Sequence, residues 1–243
     1  MERVVFRELK EPAEVVTMLR VRHAVYFEQN RYGATKPLGI DLTAHDQHAR
    51  LFGVWRGDEL VGGVRVVCRH DQPLAPVIRA MRAVVDQGVA EQCSRALPSE
   101  EAFDLASVLG ARRELIDAEV GRLFVCRERA EPGVVRKMMV ATLAVLHLLR
   151  ARLYLYSCAV ALASRYAAVA KPRWVFEAEQ GGGIRADNFV FPSQSRAGVA
   201  GIDDSPYFVQ ALELAAELAE TGAITFTRSQ PALFGPSDRA QAE

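Results

Sequence analysis

No CxxC pair and no metal-ligand spacing joins the four cysteines, Cys68, Cys93, Cys126 and Cys158. That absence argues against a disulfide framework and against a zinc site. Three of the four stand in apolar, strand-like runs, as reduced core thiols do. Neither sign of charge dominates, since thirty Lys and Arg balance thirty Asp and Glu. The balance gives no electrostatic footprint for nucleic acid, although a local patch stays open. The longest apolar run, near Met138 to Leu149, is too short for a bilayer and is interrupted by His147. The opening Met1-Glu-Arg-Val-Val-Phe-Arg-Glu8 lacks the apolar core of a secretory signal. No internal repeat is found. A soluble, cytoplasmic protein follows, with no nucleic-acid partner, no transmembrane segment and no metal.

The length of 243 residues, half of them apolar, suits one sizeable buried core. The expected organisation is a single domain over 1–227. From 228 to 243, two prolines and small polar residues suggest a flexible tail.

Ile116 to Cys126 organises the reading. It is a strand of branched and aromatic residues that carries Glu119 and Arg122. Burying unpaired charge is expensive, so both need a reason to be there. Alternation puts Val120, Arg122 and Phe124 on one face, and Glu119, Gly121 and Leu123 on the other. The two charges share a cleft only if the strand is distorted between them, and Gly121 is the residue expected to permit it. The alternative is a surface ion pair on a half-exposed strand.

Taken in order, Val4 to Leu9 predicts a strand and Pro12 opens a helix. Val15, Leu19, Arg22 and Tyr26 form one stripe of that helix. Arg22 is then either a snorkelling arginine at the core edge or an arginine aimed into a cleft and held by carboxylates. Gln29 to Gln47 is a long polar connection with Tyr32, Asp41, His45 and Asp46. Leu51–Trp55 and Leu60–Cys68 predict a hairpin about Arg56–Glu59, its second strand buried on both faces with Arg65 among apolar neighbours. Residues 69–115 are read only as a helix near Val77–Val89 and mixed loop beyond it. Arg127 to Gly133 predicts a turn, and Val134 to Arg152 a helix whose N-terminus suits an anion, with Arg129, Arg136 and Lys137 nearby. Strands at Leu153–Val160, Trp174–Ala178 and Asp187–Phe191 follow, with helices at Leu162–Ala170 and Pro206–Thr221 and a Gly181–Gly183 turn. The order implies an α/β fold, one mixed central sheet flanked by helices on both faces.

Arg22-His-Ala-Val-Tyr-Phe27, the loop ending Ala44-His-Asp-Gln-His-Ala49, Val61-Gly-Gly-Val-Arg-Val-Val67 and Glu119-Val-Gly-Arg122 occur in this order. The set resembles acyl-homoserine-lactone (autoinducer) synthases, N-acyl amino acid synthases and exosortase-associated acyltransferases over about residues 15 to 180. The resemblance implies the GNAT (acyl-CoA N-acyltransferase) fold. It implies transfer of a medium- or long-chain acyl group from an acyl-carrier-protein (ACP) or CoA thioester to the amine of an amino acid or derivative. It implies no cofactor besides that co-substrate. Glu119, Arg122 and Asp46 match the catalytic positions, Glu119 as general base. Arg22, Tyr26, Tyr32 and Arg65 match the acceptor pocket. Arg129, Gly133, Arg136 and Lys137 would meet the donor, and backbone N–H groups beside the distortion the oxyanion. Tyr32 stands where lactone synthases keep tryptophan, and neither residue three from Asp46 is an aspartate, with Asp41 a substitute. These departures favour an N-acyl amino acid synthase or a related long-chain acyltransferase. The alternatives are a lactone synthase using S-adenosylmethionine, a non-catalytic acyl-binding protein, and an acetyl-CoA enzyme with a closed acyl pocket.

Overall fold

A computed structural model describes residues 3–29, 39–43, 45–46, 49–69, 97, 99, 103, 105–126, 128, 131, 133–177, 185–186, 189–190 and 195–227. Strand β1 (Val4–Glu8) leads to helix α1 (Pro12–His23), which continues as a wider π-type turn over Ala24–Gln29. The hairpin β2 (Ala49–Arg56) and β3 (Glu59–Cys68) follows, then α2 (Leu105–Leu109) and a 3-10 segment, Gly110–Leu115. Next come β4 (Ile116–Val125), α3 (Val134–Leu148), β5 (Leu153–Ala159) and α4 (Val160–Ala170). The last described elements are β6 (Trp174–Glu177), β7 (Arg185–Ala186), β8 (Phe189–Val190), β9 (Ser195–Gly201), α5 (Phe208–Thr221) and β10 (Ala223–Phe226).

Eight strands form one sheet in the order β10-β1-β2-β3-β4-β5-β9-β6, and β7 and β8 pair apart from it. Neighbours are antiparallel except β4 and β5. A parallel pair needs a crossover, and α3 supplies it. One face carries α1 and α2, with Met18, Leu19, Leu51, Leu105 and Phe124 in its core. The other carries α3, α4 and α5, with Phe6, Val64, Met138, Leu146 and Phe226. The mixed sheet with helices on both faces is as expected, and β3 is buried along nearly its whole length.

The strand expected at Asp187–Phe191 is not the last of the sheet; among the described residues β8 is two residues long and pairs with β7. The sheet is instead completed by β9 and β10, which the sequence reading missed. β9 is rich in small residues (Ser195-Arg-Ala-Gly-Val-Ala-Gly201), a composition poor in strand formers. Gly198 in that strand lies under the Tyr156 ring, and an added Cβ would come within 2.5 Å of it. Tyr156 also stacks on Tyr166, with centroids 5.5 Å apart. Gly198→Ala is therefore expected to cost about 1 to 3 kcal/mol by overpacking. Urea denaturation checks this, and an unchanged midpoint would show that Tyr156 moves aside freely. The helix expected to reach Arg152 stops at Leu148, and Arg150 takes a left-handed backbone (φ 56°) in the turn that follows. The readings at Val77–Val89, Gly181–Gly183 and the 228–243 tail fall outside the described residues.

Candidate functional site

The distortion expected in β4 is present, one residue beyond the glycine expected to hold it. Gly63 pairs with Phe124 and Arg65 with Gly121, so Val64 alone faces both Arg122 and Leu123. This is a bulge, and its left-handed residue is Arg122 (φ 53°), while Gly121 keeps an ordinary backbone. A non-glycine residue there costs about 1 to 2 kcal/mol. The bulge puts Arg122 back on the face of Glu119 and Gly121, which strict alternation denies it. Gly121 contributes space instead: a Cβ there would lie 3.5 Å from Glu119 Oε1 and 3.8 Å from Arg65 Nη2.

On that face Arg22 is wholly buried. The snorkelling reading therefore fails, and the carboxylate-held one stands. Its guanidinium grips Asp46 with two bonds, Nη1 to Oδ1 at 3.2 Å and Nη2 to Oδ2 at 2.8 Å. Nη2 also donates to the Asp41 carbonyl, and Nε lies 2.8 Å from Asp41 Oδ2. Both aspartates thus hold Arg22, and Asp41, only a substitute in the sequence reading, is an equal member. The loop is tied off by Thr43, whose N–H and hydroxyl both donate to Asp46 Oδ2, at 2.8 and 3.0 Å. Arg65 Nη1 donates to Thr43 Oγ1 (3.0 Å) and lies 3.5 Å from Asp46 Oδ1. Arg122 Nη1 lies 3.5 Å from Asp41 Oδ2, and its guanidinium sits 5.7 Å above the Tyr26 ring. The Tyr26 hydroxyl donates to the Leu123 carbonyl (2.8 Å), pinning the bulge to the π turn.

The electrostatics follow from this packing. Burial disfavours charge on Asp46, but Arg22 and Arg65 outweigh it and hold the carboxyl below its ordinary range. Burial works against Arg22 too, and Asp46 and Asp41 more than offset it, raising its pKa. Burial raises the Tyr26 phenol despite Arg122 and Arg22 nearby. Glu119 differs: burial pushes it up to about 7, and the opposing pull of Ser99, Arg65 and His45 is weaker. Its oxygens accept from Ser99, Oε2 from the backbone N–H and Oε1 from the hydroxyl, both at 2.8 Å. Ser99 came from the stretch the sequence left unread, so no periodicity or spacing could flag it.

β4 and β5 pair from Ile116–Leu153 to Val120–Tyr156 and no further. On the α3 side of the sheet lies an apolar slot lined by Val120, Leu123, Met139, Tyr154, Tyr156 and Tyr166. Its volume is about 20 Å³. The charged cluster lies across the sheet from it.

Of the expected donor residues, Gly133 is the left-handed cap (φ 81°) of α3. Arg136 lies in the first turn of that helix. Lys137 is buried, paired with Glu131 and 5.7 Å above the Phe226 ring. Tyr32 and Arg129 fall outside the described residues. Among the described residues no three His, Cys, Asp or Glu are grouped to hold a metal, and no helix is long and apolar enough to cross a membrane. Cys68, Cys126 and Cys158 are buried and unbridged.

Residues 21–140 match the acetyltransferase (GNAT) domain family. No curated protein sequence matches the chain. Among solved structures, the chain is similar to FeeM, an N-acyl amino acid synthase from uncultured soil microbes, at 14% identity and a TM-score of 0.58, over 89% of this chain and 99% of that one. It is similar to BjaI, a CoA-dependent acyl-homoserine lactone synthase, at 15% identity and 0.57, over 88% of each chain. The acyl-homoserine lactone synthase LasI follows at 11% and 0.50, over 86% and 94%.

Proposed function

We propose that this chain, an acyltransferase of the GNAT fold, moves a medium- or long-chain acyl group from an acyl-ACP or acyl-CoA thioester to the amine of an amino acid or amino-acid derivative. The observation that carries the reading is Glu119, a buried carboxyl poised at about 7 on the same face as three arginines. An attacking amine must shed a proton, and a base with that pKa takes it best near neutral pH.

The thioester carbonyl lies in the gap where β4 and β5 part. There β4 past Val120 no longer pairs with β5, and its backbone N–H groups are the candidates to hold the developing oxyanion. The amine approaches on the α1 side, and the acyl chain leaves on the α3 side. Arg22, Asp41 and Asp46 are the back wall, with Arg22 held by both aspartates and the second negative charge faced by Arg65 and Arg122. Arg65 and Arg122, held beside Asp46 and Asp41, supply the positive charge that an amino-acid carboxylate needs. Tyr26 holds the bulge, and Tyr32 borders the acceptor on the strength of the sequence alone. The α3 N-terminus, with Gly133 and Arg136, meets the donor's phosphate, joined by Arg129. Lys137 acts there indirectly, by holding Glu131.

The likeness to the N-acyl amino acid synthase supports this choice of acceptor class. A second reading, short-chain transfer from acetyl-CoA, draws on the slot. At about 20 Å³ it admits little more than a water, which needs about 10–15 Å³. A longer chain requires side chains such as Met139 to swing, and methionine does so readily.

The test is acyl transfer from two-, four-, ten- and sixteen-carbon thioesters of CoA and of ACP. The acceptors are pooled amino acids with S-adenosylmethionine, and products are identified by mass. N-acyl amino acids with the longer chains are the expected result. Acetylated products alone would install the second reading, and an acyl lactone would identify a quorum-signal synthase. Donor binding without thiol release would leave a binding protein.

A further inference from the structure

Two hydroxyls line up on Glu119, and the arginine–aspartate cluster uses neither. Ser99 Oγ lies 2.8 Å from Glu119 Oε1, and Ser157 Oγ lies 3.1 Å from Ser99 Oγ. A serine hydroxyl has one proton to give, and an ionised carboxylate only accepts. When Glu119 is ionised, the state that accepts a proton, the Ser99 proton points at it, and Ser157 is then the donor to Ser99. The hydrogen bonds therefore all run one way, inward from Ser157.

The position of Ser157 gives that direction a use. Leu155 is the β5 partner of Glu119, so Ser157 lies two residues further on, on the same face. It is also the first β5 residue past the last β4–β5 pair, at the mouth of the gap. Ser157 is half-buried, whereas Ser99 and Glu119 are enclosed. The outer end of the chain is thus the end an amine can reach.

We propose that Ser157 and Ser99 form a proton relay that carries the proton of the attacking amine to Glu119. The inference rests on the acyl-transfer reading above. As the amine nitrogen bonds to the thioester carbon, the carbonyl pair moves onto oxygen. The N–H proton passes to Ser157 Oγ, the Ser157 proton to Ser99 Oγ, and the Ser99 proton to Glu119 Oε1. Collapse of the intermediate breaks the C–S bond and expels the thiolate. Glu119 then passes its proton back out through Ser99 and Ser157 to solvent, and the thiolate takes a proton from solvent. The Ser99 backbone N–H on Oε2 keeps the carboxylate turned toward the relay throughout.

Single-turnover transfer from decanoyl-CoA and decanoyl-ACP to the pooled amines, in H2O and D2O, tests this with Ser157→Ala, Ser99→Ala, the double variant and Ser157→Thr. Ser157→Ala is expected to slow transfer about 10²-fold, the low end for acid–base groups, and to shrink the deuterium isotope effect. Ser157→Thr, which keeps the hydroxyl, should recover most of the rate. Groups acting in series are not additive, so the double variant should be no slower than Ser157→Ala. Wild-type rate and isotope effect in Ser157→Ala would overturn the relay, as would fully additive losses or a Thr variant as slow as Ala. Wild-type protein that turns over beside an unaffected Ser157→Ala leaves the acyl-transfer reading intact. Wild-type protein with no turnover at all removes both.

Discussion

Glu119→Gln is expected to lower kcat for acyl transfer about 10²- to 10⁴-fold while leaving acyl-donor binding in place. The amide keeps the shape and the buried position but cannot take a proton. For the unaltered protein, the rate should rise with pH through about 7, as the buried carboxyl ionises, and then level off. The same group has an opposite effect on stability. Its folded pKa lies above the ordinary 4.5, so the folded state holds a proton that the unfolded state has released between those values. Stability from this group is therefore full below about 4.5 and is lost as pH rises to about 7. The loss is roughly 3 kcal/mol, at 1.36 kcal/mol per pH unit. Glu119→Gln should remove that slope, making an inactive protein more stable than its parent at pH 8. Urea midpoints at pH 5 and pH 8, beside the rate profile, check both halves. A variant with retained activity, or with the parent's stability slope, would show that another group titrates.

The sequence showed the charged face in pieces. Arg22 was legible because it interrupts an apolar stripe at helical spacing. Arg65 and the Glu119/Arg122 pair were legible because charges in buried strands need partners. Even the bulge was foreseeable, since alternation alone cannot bring residues three apart onto one face. Its site was not, because glycine is the usual left-handed residue and here an arginine takes that role. Asp41 was ambiguous because a loop has no period to fix register; only its packing on Arg22 settles membership. Ser99 and Ser157 were invisible, being single small polar residues joined to Glu119 through tertiary contact alone. β9 was missed for a related reason, since its strand character comes from the neighbours that pair with it and little of it lies in its small side chains. β10 (Ala223-Ile-Thr-Phe226) does carry strand formers, but it is only four residues long.

Arg22→Ala is expected to destabilise the fold by about 3 to 5 kcal/mol, the cost of breaking a buried ion pair from one side. The lost contacts are the smaller part. Asp41 and Asp46 remain enclosed, and Arg65 and Arg122 reach them only at 3.5 Å. The sign of the pH dependence separates this from simple loss of packing. In the parent, Asp46 is held below its ordinary 3.8, so its stabilising effect is present above that pH and is lost as pH falls through the lowered folded value. Without Arg22 the balance shifts toward burial, the carboxyl moves upward, and its ionisation then opposes folding as pH rises. The difference between parent and Arg22→Ala should therefore widen from pH 4 to pH 7. Arg22→Met combined with Asp41→Asn and Asp46→Asn, which removes both signs of charge and keeps most of the volume, should lose less stability than Arg22→Ala alone. It should still fail to position Arg65 and Arg122, so acyl transfer stays low in a folded protein. Equal penalties at both pH values would mean that Arg22 contributes only bulk. A triple variant less stable than the single one would mean that the hydrogen bonds of the loop, through Asp46 to Thr43, outweigh the charges.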